Sequence, residues 1–91
     1  MIEFEWDPKK AVSNEQNHTI TFQEAASVFG DRLAMTFADP DHSDNEQRYL
    51  TFGMSKYNRL LVVSHADSKE KTRIISARLM DRKERRIYEE G

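Results

Sequence analysis

The sequence predicts an α+β fold: two N-terminal helices, a small antiparallel β-sheet and a C-terminal helix, in the order βααββββα. Three observations carry this. Arg59–His65 and Lys71–Leu79 are apolar, β-branched runs joined by a short polar turn, as paired strands would be. Two segments near the N-terminus open with helix-start signatures, Asp7-Pro8 and Thr21-x-x-Glu24. Asp81, followed three residues later by Glu84, opens a last, basic helix.

The elements follow in order. Ile2 to Trp6 alternates apolar and acidic residues, as a half-exposed strand does. Asp7 serves as N-cap with Pro8 at the first helical position, and the helix runs to Asn17 or His18. Its only apolar residues are Ala11 and Val12, so it docks by one edge. The next helix has a capping box of Thr21 and Glu24, a staple of Ile20 on Ala25, and Phe22, Ala25, Ala26 and Phe29 on one face. Gly30 is its expected C′ residue. Leu33–Ala38 is a strand and Asp39–Asn45 a loop of turn-forming residues. Arg48–Met54 is a strand with Arg48, Leu50, Phe52 and Met54 on one face, and Ser55–Asn58 turns the chain into the central pair. Short turns between four successive strands predict an antiparallel meander.

The 91 residues make one domain, 1–91, with 33% charged and 37% hydrophobic residues. One tryptophan, three tyrosines and five phenylalanines argue against disorder. The absence of cysteine points to a reducing, cytosolic setting. No targeting leader and no membrane span is expected. The net charge of −2 hides an asymmetry: residues 1–47 carry ten acids and three bases, and residues 48–91 carry eleven bases and six acids. Most of the positive excess lies between Lys71 and Arg86, a patch able to concentrate a polyanion. The alternative is a solvated surface whose charges pair across the fold.

Chemistry-bearing residues are few. There is no Gly-rich phosphate loop and no cysteine nucleophile. Asp39, Asp41, His42 and Asp44 form the one cluster of metal-ligand types, and a plain soluble turn explains them as well. On the last helix, Asp81–Arg85, Arg85–Glu89 and Arg86–Glu90 stand at pairing distance. Arg73, Arg78, Arg82 and Lys83 are left without local partners, and guanidinium forks suit phosphate oxygens. Strand alternation puts Arg78 on one face with Ser76, Ile74 and Thr72, and Arg73 on the other, so only a bulge brings both into one pocket. His18 is expected to end a helix, and His65 to be buried.

Several segments together resemble the BrnT family of bacterial toxins. They are Phe4-Glu5-Trp6-Asp7-Pro8-Lys9-Lys10-Ala11, Asn14, His18, Phe22–Phe29, Asp39-Pro40-Asp41-His42-Ser43, Gly53, Arg59–Val63, Arg73-Ile74-Ile75-Ser76-Ala77-Arg78 and Glu84–Glu89. The resemblance implies a RelE-like fold and a metal-independent endoribonuclease of a type II toxin–antitoxin pair in the bacterial cytoplasm. It implies no cofactor, and RNA as substrate. The partner would be a BrnA-like ribbon-helix-helix antitoxin, with operator DNA bound only through the complex. Carried over by position, His18, Arg73, Arg78 and Glu84 are the expected catalytic residues. Arg73 and Arg78 would stabilise phosphate, with His18 or Glu84 as base. Lys9, Arg48, Arg82, Lys83 and Tyr88 are the expected RNA-binding residues. One departure stands out: Asn17-His18-Thr19 replaces the family's usual Lys-His-Gly. Two rivals remain, a non-catalytic binding module of the same fold and a metal-dependent nuclease using Asp41, His42 and Asp44.

Overall fold

Strand β1 (Glu3–Glu5) leads into helix α1 (Pro8–His18), helix α2 (Phe22–Ser27) and a 3-10 turn at Val28–Gly30. Strand β2 (Met35–Ala38), a second 3-10 turn at Pro40–His42, and strands β3 (Arg48–Met54), β4 (Leu60–Asp67) and β5 (Lys71–Leu79) follow, and helix α3 (Arg82–Glu90) comes last. The computed structural model describes residues 2–43 and 45–91. The strands form one sheet in the order β1-β5-β4-β3-β2. Strands β2 to β5 are the expected antiparallel meander. Strand β1 corrects the expectation of a purely antiparallel sheet, because it lies parallel to β5 and makes the sheet mixed. Nearly the whole chain separates the two, so no hairpin imposes antiparallel pairing. Burial of Phe4 places β1 instead, with its ring 5.3 Å from that of Phe29.

Helix α1 begins as its sequence dictates, with the Asp7 side chain accepting from Lys9 N at 2.9 Å. It ends at Thr19, which is left-handed with φ 59°. That conformation costs a β-branched residue about 1–2 kcal/mol. The helix buries little apolar surface, and Val12 is exposed. Its anchor is the buried Asn14, whose amide donates to Ile20 O at 3.0 Å and Ala77 O at 2.9 Å and accepts from Ala77 N at 3.0 Å. Strand β1 pairs with β5 only as far as Arg73. Beyond it, Asn14 acts as a one-residue substitute strand.

Helix α2 departs from expectation in two ways. Thr21 Oγ1 accepts from Glu24 N at 3.1 Å, but the Glu24 carboxylate does not return to complete a capping box. It turns inward, accepting from Ser55 Oγ at 2.7 Å and Arg59 Nε at 2.8 Å, because a charge-assisted bond to guanidinium is the stronger one. The helix stops at Ser27, whose hydroxyl donates back to Glu24 O at 2.6 Å, and continues as a 3-10 turn. Gly30 lies inside that turn and is not a left-handed C′ residue. Strand β2 starts two residues later than expected, because Asp31 holds Leu33 N at 3.0 Å in a turn.

The sheet has two unlike faces. On one, Ile20, Phe22, Ala25, Val28, Leu61, Val63, Ile74 and Ala77 form the main core beneath α1 and α2. Each large side chain so buried contributes about 1.5–3 kcal/mol. Gly53 allows this face to close: a Cβ there would lie 2.6 Å from Val28 Cγ1. On the other face, Phe52, Val62 and Met80 pack with Leu50, Leu60 and Tyr88 of α3. That smaller cluster covers only part of the face.

Candidate functional site

A β-bulge organises the rest of that second face. Ser64 pairs with Ser76 but His65 pairs with Ile74, so β5 has one residue more than β4 at Ile75. A one-residue insertion flips every later side chain to the opposite side. Arg73, Ser76 and Arg78 therefore share one face, although their spacing forbids this in a regular strand. The register across the sheet aligns Arg48 with Ala66 and Arg73, Leu50 with Ser64 and Ser76, and Phe52 with Val62 and Arg78.

Above these rows lies a groove of about 390 Å³, whose walls include Arg48, Ser64, Ser76, Arg78, Asp39 and His42. Arg78 was expected to lack a partner, but it makes a two-pronged ion pair with Glu84 at 2.7 and 2.8 Å. The strand end points its side chain at the first turn of α3. The Arg78 bond holds the Glu84 carboxyl below its usual range, with burial working against it, and Glu84 in turn raises the Arg78 guanidinium. Glu84 Oε1 also accepts from Asp81 N at 2.9 Å in the capping box expected for α3. A carboxylate so engaged is a weak base. Arg73, also expected to be unpartnered, pairs with Glu46, whose Oε1 stands 3.7 Å from Arg48 Nε. Arg48 Nε is buried and has no hydrogen-bond partner among the described residues.

The loop above the groove is braced from within. Asp39 N donates to Arg48 O at 2.8 Å, and Ser43 Oγ donates to Asp39 O at 2.5 Å and accepts from Arg48 N at 3.0 Å. The largely buried Asp39 carboxylate faces His42 Nδ1 at 3.0 Å, while the His42 side chain is 67% exposed. Of the loop residues weighed as metal ligands, these two are bonded to each other, and Asp44 lies outside the described residues. Among the described residues no three His, Cys, Asp or Glu side chains converge on a metal position.

The other expected residues are dispersed. His18 lines a separate shallow depression with Lys10, Ser13 and Asn17, which meets the groove at Ile75 and Ser76. Lys9 is exposed on the first turn of α1 and lines neither depression. Arg82 and Lys83 are exposed on α3 and have no ion-pair partner among the described residues. The pairs expected along that helix, Asp81–Arg85, Arg85–Glu89 and Arg86–Glu90, are not formed, so α3 presents a bare basic side. Tyr88 turns inward and donates its hydroxyl to Asp31 Oδ2 at 2.5 Å. That bond, with burial, pushes the phenol up to about 12. Burial opposes ionisation of Asp31, but bonds from Tyr88, Met54 N and Leu33 N outweigh it and leave the carboxyl below its usual range.

His65 is buried, as expected, and belongs to a chain of polar contacts across three strands. Its Nε2 is 2.7 Å from Thr51 Oγ1, its Nδ1 is 2.8 Å from Asp67 Oδ1, and Thr51 Oγ1 is 2.8 Å from Thr36 Oγ1. The grouping has the members of a nucleophile triad, but Thr51 is 1% exposed and admits no substrate. Its role is to satisfy polar groups within the core.

The fold is an α+β one whose partly open sheet face carries Arg48, Arg73 and Arg78. Residues 6–84 match the family model described as "Ribonuclease toxin, BrnT, of type II toxin-antitoxin system". The chain belongs to this family of ribonuclease toxins, a class that acts on RNA and is paired with an antitoxin. Its fold is similar to that of the Brucella abortus ribonuclease toxin BrnT, with a TM-score of 0.65 at 16% identity, over 90% of this chain and 100% of that one. No curated protein matches the sequence. Among the described residues, no helix is long and apolar enough to cross a membrane.

Proposed function

We propose that this chain is a metal-independent endoribonuclease of RelE-like type, acting in the bacterial cytoplasm, with the open sheet face as its cleavage site. The observation that carries this reading is the bulge at Ile75, which sets Arg73, Ser76 and Arg78 on one face beside Arg48. In this reading the RNA 2′-hydroxyl attacks the adjacent phosphorus, and the arginines stabilise the added negative charge. Arg78 is the principal phosphate ligand. Glu84 orients it, since its engaged carboxylate argues against the role of base. Arg73 and Arg48 flank the phosphate, and Lys9, Arg82 and Lys83 attract the strand from outside the groove. His18 contacts RNA beyond the bulge. Tyr88 supports the site by fixing α3 to Asp31. The antitoxin is a BrnA-like ribbon-helix-helix protein, which neutralises the toxin partly by covering the Lys71–Arg86 patch and carries the complex to operator DNA.

The test is cleavage of naked RNA in EDTA by identically purified wild type and Arg78→Ala. Arg78 is exposed, so the variant should keep its fold. Cleavage by wild type and a loss of at least about 100-fold in the variant is expected for one oxyanion ligand. Equal cleavage by both overturns the assignment of the site. No cleavage by wild type, with RNA still bound, favours the non-catalytic module.

A further inference from the structure

We propose that His42, oriented by Asp39, is the general base of the groove, an inference that rests on the ribonuclease reading above. Neither of the expected bases suits the task. Glu84 is occupied by Arg78 and by the Asp81 backbone. His18 lines the neighbouring depression, not the wall that carries Arg48 and Arg78. His42 lines that wall itself, with Arg48, Ser64, Ser76 and Arg78.

The geometry selects one proton arrangement. An ionised Asp39 only accepts hydrogen bonds, so His42 Nδ1 carries the proton in the 3.0 Å contact. In the neutral imidazole Nε2 then keeps its lone pair, on a side chain that is 67% exposed. A histidine serving only to pack would be buried, as His65 is. A local turn brings the pair together. Pro40 starts a 3-10 turn, and in a 3-10 helix residues three apart eclipse, so Asp39 and His42 stand on one side. Bonds from Asp39 to Arg48 and from Ser43 to both tie that turn to β3.

The step balances as follows. His42 Nε2 takes the proton of the RNA 2′-hydroxyl as its oxygen forms a bond to phosphorus. The bond from phosphorus to the 5′-oxygen breaks, that oxygen takes a proton from water in the open groove, and the hydroxide left behind takes the proton back from the His42 imidazolium, which restores the base. The products are a 2′,3′-cyclic phosphate and a 5′-hydroxyl. Asp39 stabilises the imidazolium formed, as a carboxylate behind a catalytic histidine does. The charged groups facing His42 are Asp39 and Asp41 on its own loop, Glu46, Arg48 of β3 and Arg78 of β5, which carries Glu84 of α3.

The experiment is single-turnover cleavage of a short RNA in EDTA across pH 5–9, for wild type, His42→Ala, Asp39→Asn and His18→Ala. The expected wild-type rate rises with pH through a single inflection and levels off, as a rate set by one general base does. In His42→Ala the plateau rate falls by about 10²–10⁴-fold, the inflection disappears, and added imidazole restores part of the rate. Asp39→Asn, a positioning change, lowers the rate constant while leaving the RNA concentration at half-maximal rate unaltered. His42 is exposed, so its removal leaves the fold intact even if the Asp39 variant does not fold. An Arg78-dependent wild-type activity that His42→Ala retains, with its pH profile, overturns this inference alone. Loss of the inflection in His18→Ala instead assigns the base to His18 and also overturns it. A wild type that never cleaves RNA overturns both this inference and the reading it rests on.

Discussion

Replacing Asn14 by alanine should be the most damaging single change on α1, although its charged and apolar residues are nearly all exposed. Asn14 makes three hydrogen bonds at 2.9–3.0 Å, all to main-chain groups. Alanine leaves Ala77 N, Ala77 O and Ile20 O without their partner in a region where Asn14 is 6% exposed. An orphaned buried polar group costs about 1–3 kcal/mol, and water entering the vacated space recovers part of that, so about 3 kcal/mol in total is expected. For a domain of this size the melting temperature should fall by about 15 °C. Urea denaturation followed by tryptophan fluorescence measures it, since Trp6 packs edge-on to Phe22. Asn14→Asp sharpens the test. Its carboxylate accepts from Ala77 N but faces two carbonyls, so the folded chain favours the protonated form and raises that carboxyl's pKa. Stability of the variant is then present below the unfolded carboxyl pKa of about 4 and lost as pH rises through the folded value. A loss under about 1 kcal/mol for Asn14→Ala, or an Asn14→Asp variant no less stable at pH 7 than at pH 4, would refute the substitute-strand argument.

Two further outcomes follow from local geometry. Thr19→Gly removes the left-handed penalty at φ 59° and should stabilise the fold by about 1 kcal/mol, read as a higher urea midpoint at unchanged slope. Arg59 would keep its bond there, since it donates to the Thr19 carbonyl. Tyr88→Phe removes the bond to ionised Asp31 and should cost about 2 kcal/mol at neutral pH. Because the folded phenol is raised from 10.0 to about 12, that advantage is complete below pH 10 and lost as pH climbs through the folded value. The gap between wild type and Tyr88→Phe in denaturation curves should therefore close in alkali, and a gap constant with pH would contradict the assignment.

Local signals made most of the elements readable. Asp7-Pro8, Thr21 and Asp81 are caps whose effect is confined to one turn, and each starts the helix it announces. Alternation in Arg48–Met54 likewise placed Arg48, Leu50 and Phe52 on one face. What escaped is relational. The bulge at Ile75 consists of a mismatch in count between two strands and leaves no mark on β5 itself. The Arg73–Glu46 pair joins residues 27 apart, and Asn14 meets Ala77 at a separation of 63. The Asp39–His42 contact was within reach. A prolyl turn with an acid and a histidine three apart signals it, but the same residue types also fit a metal-binding loop.

The arginines on the open face are held by carboxylates, and this shapes how any polyanion enters. Arg48 and Arg73 share Glu46, and Arg78 is held by Glu84. Three like charges on one face would repel each other, so the acids make the empty groove tolerable. A phosphate must therefore exchange with a carboxylate, and the net gain is smaller than the same arginines would give unpaired. The two exchanges are unequal. Glu84 stays anchored through Asp81 N when Arg78 leaves it, so Arg78 can return to a fixed partner. Glu46 has no bond beyond its arginines among the described residues, and its loop position lets it withdraw. In the proposed reaction Arg78 is thus the preset ligand, and Arg73 is freed only when the incoming chain displaces Glu46. Binding governed by such exchange should weaken steeply with salt, because ions screen the attraction that draws RNA to the bare side of α3 before either pair opens.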